Sequence, residues 1–371
     1  MKMPRSFQSF SLIFFLANAF PAAAYAQGAV DPLLADQATD AWEADDAASR
    51  WYGDLALRGE STRGFSNRDD IERLRSRLRL GWRHDGETLS LRVAAKLGLG
   101  SDDNRDNRRN LDNEESNGAG LDDALLTWHA NERIDVHFGK TAFPLATTPL
   151  VWDSDLRPLG ASLAASWPVA DFDRISLVAG YFAGQHLYGD DSRIGAMQLG
   201  WHYHEGAPFS AETLLAYIDF NDLERAAQEG LTRSNRRIGQ RLLSDYRLLD
   251  WQGALRWQLG ERPLSARLDL VYNLGADDEN RGARFSLVLG DAQRQQGLEL
   301  AVALQRFQRD AVSAAFSADD WWFHSAARGV MPWIAYGLTP TWSVQLSGFH
   351  ERMDGRDEYI NRVLLDVRAR W

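Results

Sequence analysis

The feature that most constrains this chain is an alternation of apolar and polar residues with a period of two. It runs from Trp51 to the C-terminus in segments of about 10–13 residues. In the segment 71–84 the two faces read Arg73, Arg75, Arg77, Arg79 and Arg83 against Leu74, Leu78, Leu80 and Trp82. Segments of this kind are typical of tilted strands that cross a membrane between lipid and a wet lumen.

Sixteen such segments can be delimited, and they predict an all-β fold: a transmembrane antiparallel β-barrel of sixteen strands over residues 51–371. They start near residues 51, 71, 88, 122, 133, 159, 172, 193, 208, 246, 263, 281, 296, 328, 341 and 360. Links after even-numbered segments are mostly short, whereas those after odd-numbered segments are mostly long and polar: 101–121, 143–158, 219–245 and 308–327. Bacterial barrels have short periplasmic turns and long outer loops, whereas a soluble β-sandwich has no reason to sort its links in this way.

The first 26 residues predict a secretory signal peptide, with Lys2 and Arg5 before an apolar stretch and a cleavage site at 24–26. Removing those two bases changes the formal net charge from −11 to −13, which argues against nucleic-acid binding. The absence of Cys excludes disulfides and thiolate metal sites. Residues 27–50 are acidic and are expected to form a periplasmic lead-in; a lumen plug is the alternative, although so short a segment fills little of a sixteen-stranded lumen.

Tryptophans collect at the periplasmic end of the predicted strands. Most fall where strands approach the periplasm, one where a strand leaves it and one at the last residue: Trp82, Trp128, Trp167, Trp201 and Trp257, then Trp342 and Trp371. Amphipathic rings favour a membrane interface, so we predict an aromatic belt there, with core packing as the alternative. The final strand alternates up to Trp371 and resembles the C-terminal signature that the barrel-assembly machinery recognises.

The arginine row of the second segment is expected to line the lumen, because each guanidinium on the lipid face would cost about 2–4 kcal/mol near the midplane. The predicted basic wall comprises Arg58, Arg73, Arg75, Arg77, Arg79, Arg92 and Lys96. The third outer link, 143–158, is too apolar to remain in water. We expect it to fold inward, with Asp153 and Asp155 facing the wall and Arg157 lining the pore, so that a transverse field sorts ions. The alternative is a ladder that pairs with nearby acids.

No pattern predicts catalysis. The histidines are scattered, and neither His-Glu-x-x-His nor Gly-x-Ser-x-Gly occurs, so no catalytic residue, cofactor or metal site is assigned and the chain is not expected to be an enzyme. The acidic link 101–121 could bind divalent ions or contact lipopolysaccharide through them. It lacks the order of a calcium loop, and a solvated polar loop is the default interpretation.

Two stretches carry a family resemblance: 138–144, Phe-Gly-Lys-Thr-Ala-Phe-Pro, and 150–156, Leu-Val-Trp-Asp-Ser-Asp-Leu. They resemble the Gly-Arg/Lys-x-x-x-Pro-Phe and Leu-Val-Trp-Asp-x-Asp-Leu runs of a bacterial family of putative porins, with Phe and Pro here in the reverse order. The resemblance implies a passive outer-membrane channel and names no substrate. A weaker similarity to alginate-export barrels, whose lumen is rich in arginine, implies an anionic polymer.

The sequence therefore predicts an outer-membrane porin through which small hydrophilic solutes or ions diffuse. One alternative is a selective channel for anionic sugars or an anionic polysaccharide, and another is a structural or adhesive barrel. The expected partners are membrane lipid, lipopolysaccharide and the assembly machinery, and no nucleic acid. The sequence does not decide between a monomer and the homotrimer that porins of this size often form.

Overall fold

The computed structural model describes residues 49–66, 68–101, 117–170, 172–184, 192–228, 230–318 and 320–371. The predicted signal peptide (1–26), almost all of the predicted lead-in (27–50) and most of the link 101–121 lie outside these residues. Within the described residues, no helix is long and apolar enough to cross a membrane, a finding that does not concern strands.

The described residues form eighteen strands and one short helix. Their bounds are β1 Ser49–Arg63, β2 Ile71–His84, β3 Leu89–Gly100, β4 Asn117–Asn131, β5 Ile134–Lys140, β6 Leu159–Ala170, β7 Asp173–Ala183, β8 Arg193–Tyr203, β9 Phe209–Asn221, α1 Glu224–Gln228, β10 Arg237–Ile238, β11 Arg241–Leu242, β12 Tyr246–Leu259, β13 Arg262–Asn273, β14 Arg281–Gly290, β15 Leu298–Phe307, β16 Ala327–Gly337, β17 Trp342–Met353 and β18 Tyr359–Arg370.

Sixteen of these strands close into one antiparallel barrel, while β10 and β11 form a separate two-stranded hairpin within an outer loop. The predicted fold class is therefore confirmed, and fifteen of the sixteen predicted starts lie within two residues of the observed ones. The exception is β4, which begins at Asn117 because Gly118 and Gly120 still pair with β3. The prediction that the loop extends to residue 121 was therefore wrong, because residues 117–121 belong to β4.

The barrel closes between β1 and β18, whose ends are joined through the C-terminal residue. Gly53 donates a backbone hydrogen bond to Trp371 at 2.9 Å, and Trp371 donates one back at 3.1 Å. The indole lies directly on Gly53, where an added Cβ would be 2.8 Å from the ring. Gly53 thus allows the final tryptophan to cover the closing seam.

The predicted belt residues lie at the ends of strands opposite the long loops. Trp128 and Trp201 are exposed on the outer surface, and the other five predicted members are partly exposed. The sequence interpretation omitted Trp51, which is 68 % exposed and pairs in register with Trp82. That these rings anchor the barrel at the interface stays a prediction.

Candidate functional site

The arginine row of β2 points into the barrel. Arg73 and Arg79 are buried, whereas Leu74 and Leu80, which alternate with them, are exposed on the outer surface. Side chains alternate across a strand, so one face of β2 meets the lumen and the other meets lipid. The orientation expected from the cost of an arginine in lipid is therefore the one that the structure has.

A buried carboxylate on β1 holds the outer end of this row together. Glu60 accepts hydrogen bonds from Arg73 at 2.7 and 2.9 Å, and from Arg362 of β18 at 3.0 Å, with a second nitrogen of Arg362 at 2.8 Å. Arg75 approaches the same carboxylate at 3.4 Å. One carboxylate therefore contacts three guanidinium groups, two from β2 and one from β18.

Other acids on the wall approach the remaining arginines. Arg77 and Asp54 are 3.4 Å apart, Arg79 and Asp122 are 3.1 Å apart, and Arg92 and Asp123 are 3.4 Å apart. Arg58 contacts Asp366 of β18 at 2.6 Å, and Lys96 is near enough to Asp122 for their charges to interact. Much of the opposing charge thus lies on the wall itself, a source that the sequence interpretation weighed only as its alternative.

The loop 141–158 between β5 and β6 folds into the barrel and reaches this wall. Asp155 accepts hydrogen bonds from Arg77 at 2.7 Å and from Arg79 at 3.2 Å. Arg157 is buried and lies 3.8 Å from Asp122. The carboxylate of Asp153 accepts a bond from the backbone amide of Asp155 at 2.9 Å and so shapes the turn that carries Asp155.

The same loop is attached to the other side of the lumen. Thr148 donates a hydrogen bond to Asp269 of β13, and the carbonyl of Ala146 accepts bonds from Gln198 of β8 at 2.8 Å and Gln252 of β12 at 2.9 Å. Gln198 also accepts a bond from the Ala146 amide at 3.0 Å. The loop therefore bridges the lumen from β2 to β8, β12 and β13.

A second outer loop, residues 308–326 between β15 and β16, also folds inward, which the sequence interpretation missed. Arg58 contacts Asp320 in this loop, and Arg362 donates to the Asp320 carbonyl at 2.6 Å. The backbone amides of Trp322 and Phe323 donate to Glu351 of β17 at 2.9 and 3.2 Å. The loop is thus held by the same arginine wall and by the strand beside it.

An apolar core joins the inward loops. Trp152 is 1 % exposed and stacks on Phe143 with ring centroids 4.1 Å apart and on Phe316 at 5.4 Å. Phe220 of β9 packs on Phe316 at 4.4 Å. The outer loop 222–245, which carries α1, adds buried apolar side chains to this core, among them Leu223, Ala226 and Leu231. An apolar core therefore fills part of the lumen near the extracellular ends of β8, β9 and β12.

A signal for this packing was present in the sequence. Residues 311–318, Ala-Val-Ser-Ala-Ala-Phe-Ser-Ala, are apolar for a loop exposed to water. Inward positions near the outer ends of β8, β9 and β12 are also apolar, as in Ile194, Ile218 and Leu248, each at most 1 % exposed. A wet lumen would not favour such residues, so the pair of signals predicts loop burial.

One titratable group in the second loop is strongly affected by burial. Desolvation, with the charge of Arg233 as a smaller cause, holds the pKa of His324 well below its usual value. Its ring lies beside Ser317, whose hydroxyl donates to the His324 carbonyl at 3.1 Å. His324 is therefore neutral while the loop is packed. Among the described residues, no group of three or more His, Asp or Glu side chains is arranged to hold a metal.

Comparison with known proteins agrees with this architecture. The model of a family described as "Putative porin" matches residues 57–235. No curated protein matches the chain. The high-pH structure of OprB from Pseudomonas putida has a TM-score of 0.59 at 13 % identity, covering 88 % of this chain and 95 % of that one.

Two further solved barrels are similar. OmpF of Salmonella typhi, in complex with daunomycin, has a TM-score of 0.56 at 11 % identity, covering 87 % of this chain and 97 % of that one. A loop-deletion mutant of OmpT from Vibrio cholerae has a TM-score of 0.52 at 12 % identity, covering 88 % of this chain and 100 % of that one. These identities establish the fold alone, while the family match confirms the resemblance stated from the sequence.

Proposed function

We infer that this chain forms a passive channel for small hydrophilic solutes and ions, and that its inward loops set the width of the channel. The chain matches the putative porin family over residues 57–235 and lies in the bacterial outer membrane as a sixteen-stranded barrel. The observation that carries this proposal is the bridge of loop 141–158 across the lumen, between Asp155 on the arginine wall and Thr148 on Asp269. We give the barrel no catalytic role.

We propose a modest preference for anions rather than strong selectivity. Acids accompany the arginines but are shared, since Glu60 contacts three guanidinium groups and Asp155 contacts two. With Arg157 and Arg362 included, nine basic side chains lie against seven acids along the wall, so only a small excess of positive charge remains, and charged pore linings select ions of opposite sign. The seven acids are Asp54, Glu60, Asp122, Asp123, Asp155, Asp320 and Asp366. A dedicated channel for anionic sugars or polysaccharides would need more uncompensated arginine along its path.

Planar-bilayer recording of the purified protein tests this proposal. We expect stepwise current and a few-fold preference for chloride over potassium under a salt gradient. Asp155→Asn should raise the conductance and the chloride preference, because it weakens one end of the bridge and removes an acid from Arg77 and Arg79. Asp357→Asn, the same change at an exposed outer-loop residue, is the matched control.

Three outcomes would contradict parts of the proposal. Absence of current at every salt concentration would remove the channel and favour the structural or adhesive alternative. Strong anion preference that Arg77→Ser abolishes would favour the channel for anionic sugars. An Asp155→Asn variant with unchanged conductance would show that loop 141–158 does not limit the pore.

The partners remain proposals of the same kind. Cross-linking in detergent distinguishes a monomer from a homotrimer. Assembly in cells of a chain lacking Trp371 tests whether the last strand serves as the recognition signal for the assembly machinery.

A further inference from the structure

Four arginines lie on the outer surface of the barrel, at the extracellular ends of adjacent strands. They are Arg281 on β14, Arg306 on β15, Arg328 on β16 and Arg352 on β17. The first three are exposed and Arg352 is half-buried. The alternation that directs the arginines of β2 into the lumen directs these outward.

The strand register brings three of the four together. Arg306 is the direct cross-strand partner of Arg328, and Arg328 is that of Arg352. Side chains opposite each other on one face have Cβ atoms about 4.5–5.5 Å apart, and like charges in such positions repel. A row of this kind is destabilising by itself, so an anion that bridged the arginines would stabilise it.

No described residue supplies that anion, because none of the four arginines forms an ion pair within the part of the chain that the structure describes. The Nε atom of Arg352 is shielded from solvent and donates no hydrogen bond to a described residue. A neighbouring outward arginine shows the contrast: Arg63 on β1 pairs with Glu72 on β2 at 3.3 Å. Among the described residues, the four arginines therefore lack an acidic partner of the kind that Arg63 has.

Aromatic rings position the guanidinium groups at both ends of the row. The guanidinium of Arg281 lies 5.7 Å from the centre of the Tyr272 ring, and that of Arg352 lies 5.2 Å from the Tyr359 ring. His350 also stacks on Tyr359, with ring centroids 4.2 Å apart. A guanidinium over a ring is partly ordered while its N–H donors stay available, which favours bidentate recognition of an oxyanion.

The level of the row identifies the anion. On the same outer face, towards the membrane centre, Arg306 is followed by Leu304 and Arg328 by Val330 and Pro332, with exposed Ile334 beyond. The arginines thus lie where lipid-facing apolar surface ends on the extracellular side. The headgroups at this level belong to lipopolysaccharide, whose phosphates match the guanidinium fork.

We propose that Arg281, Arg306, Arg328 and Arg352 form a binding site for the phosphates of a lipopolysaccharide molecule in the outer leaflet. The lipid neutralises the row, and its acyl chains cover the apolar surface beneath. The site lies outside the lumen, so it does not depend on the channel function proposed above.

The test uses the full barrel in detergent and measures binding of lipid A in its bisphosphorylated and dephosphorylated forms by native mass spectrometry. We expect tight binding only of the phosphorylated form, and a loss of roughly tenfold or more in affinity when Arg306, Arg328 and Arg352 are changed to Gln. Arg63→Gln, on the same rim but paired with Glu72, is the control and should bind as the wild type does.

The substitutions relieve repulsion between the arginines, so the variant should fold. The heat-dependent shift in gel mobility of the variant checks that its barrel is folded. Its conductance should equal that of the wild type, so a failed lipid test is distinguishable from a failed channel test. Equal lipid binding by the triple variant, or by the dephosphorylated lipid, would overturn the proposal. Inorganic phosphate that binds as tightly as lipid A would identify a free-phosphate site and overturn it also.

Discussion

Replacing Trp152 with Ala tests whether the loops, rather than the barrel wall, set the width of the channel. Trp152 is the largest side chain of the apolar core that joins the inward loops, and it is 1 % exposed. It stacks on Phe143 of its own loop and on Phe316 of loop 308–326. Its removal deletes the aromatic contact between the two loops and leaves the two backbone hydrogen bonds that also join them, from Asp153 to Phe316 at 2.6 Å and from Ala318 to Pro149 at 3.0 Å. The strands of the wall keep all their hydrogen bonds.

The magnitude follows from the cost of emptying a packed site. Truncation of a buried Trp or Phe to Ala costs about 3–5 kcal/mol. If that loss destabilises the packed state of the loops, the ratio of unpacked to packed loops rises from about 10²-fold to several thousandfold, at one power of ten for each 1.4 kcal/mol. A population of unpacked loops too rare to detect in the wild type should then become visible as a second conductance level.

Single-channel recording of Trp152→Ala should therefore show larger or more variable steps than the wild type. Trp251→Ala removes the same side chain from the outer surface of β12, where it is exposed, and should leave the step size unchanged. Identical step sizes in Trp152→Ala and the wild type, with the barrel folded, would refute the argument that the aromatic core limits the pore.

Two further predictions concern stability and pH. Glu60→Gln removes the carboxylate that three buried arginines share and should lower the free energy of unfolding in urea by about 3–5 kcal/mol, whereas Glu72→Gln, in an exposed pair, should change it by less than about 1 kcal/mol. Burial holds the pKa of His324 well below its ordinary value of 6.5. As pH falls below that value, only the unpacked loop binds the proton, so packing weakens by at most about 1.4 kcal/mol per pH unit. Conductance should therefore rise on acidification, and the rise should be smaller in the His324→Gln variant. A rise as large in the variant as in the wild type would show that His324 does not cause the pH dependence.

The wall of the barrel could be predicted from the sequence because lipid and lumen impose alternate demands on every strand. The segment predicted over 71–84 is β2 to the residue, since charged and apolar side chains alternate there without interruption. At the start of β4 the signal fails, because Gly118 and Gly120 have no side chains to mark a face. Their strand conformation is set by pairing with β3.

The contents of the lumen were harder to predict. The inward turn of loop 141–158 was expected from its apolar residues, and Asp155 reaches the predicted wall. Loop 308–326 was interpreted as a polar outer link because its burial depends on Phe316 meeting Trp152, more than a hundred and sixty residues earlier. Pairing of Glu60 with Arg73 required the register of β1 on β2, which alternation alone does not give.

The size of the barrel explains why its wall is easier to predict from the sequence than the loops inside it. The interior of about eight strands is filled by wall side chains, whereas sixteen strands leave an aqueous channel. Within the part of the chain that the structure describes, the material that narrows the lumen comes from loops, and the apolar inward face of β8, β9 and β12 fixes where those loops pack. The wall is constrained by the membrane, whereas the loops are constrained by each other and by the inward side chains of the wall. Changes in solute size limit should therefore map to loops 141–158 and 308–326, with the strands of the barrel unchanged.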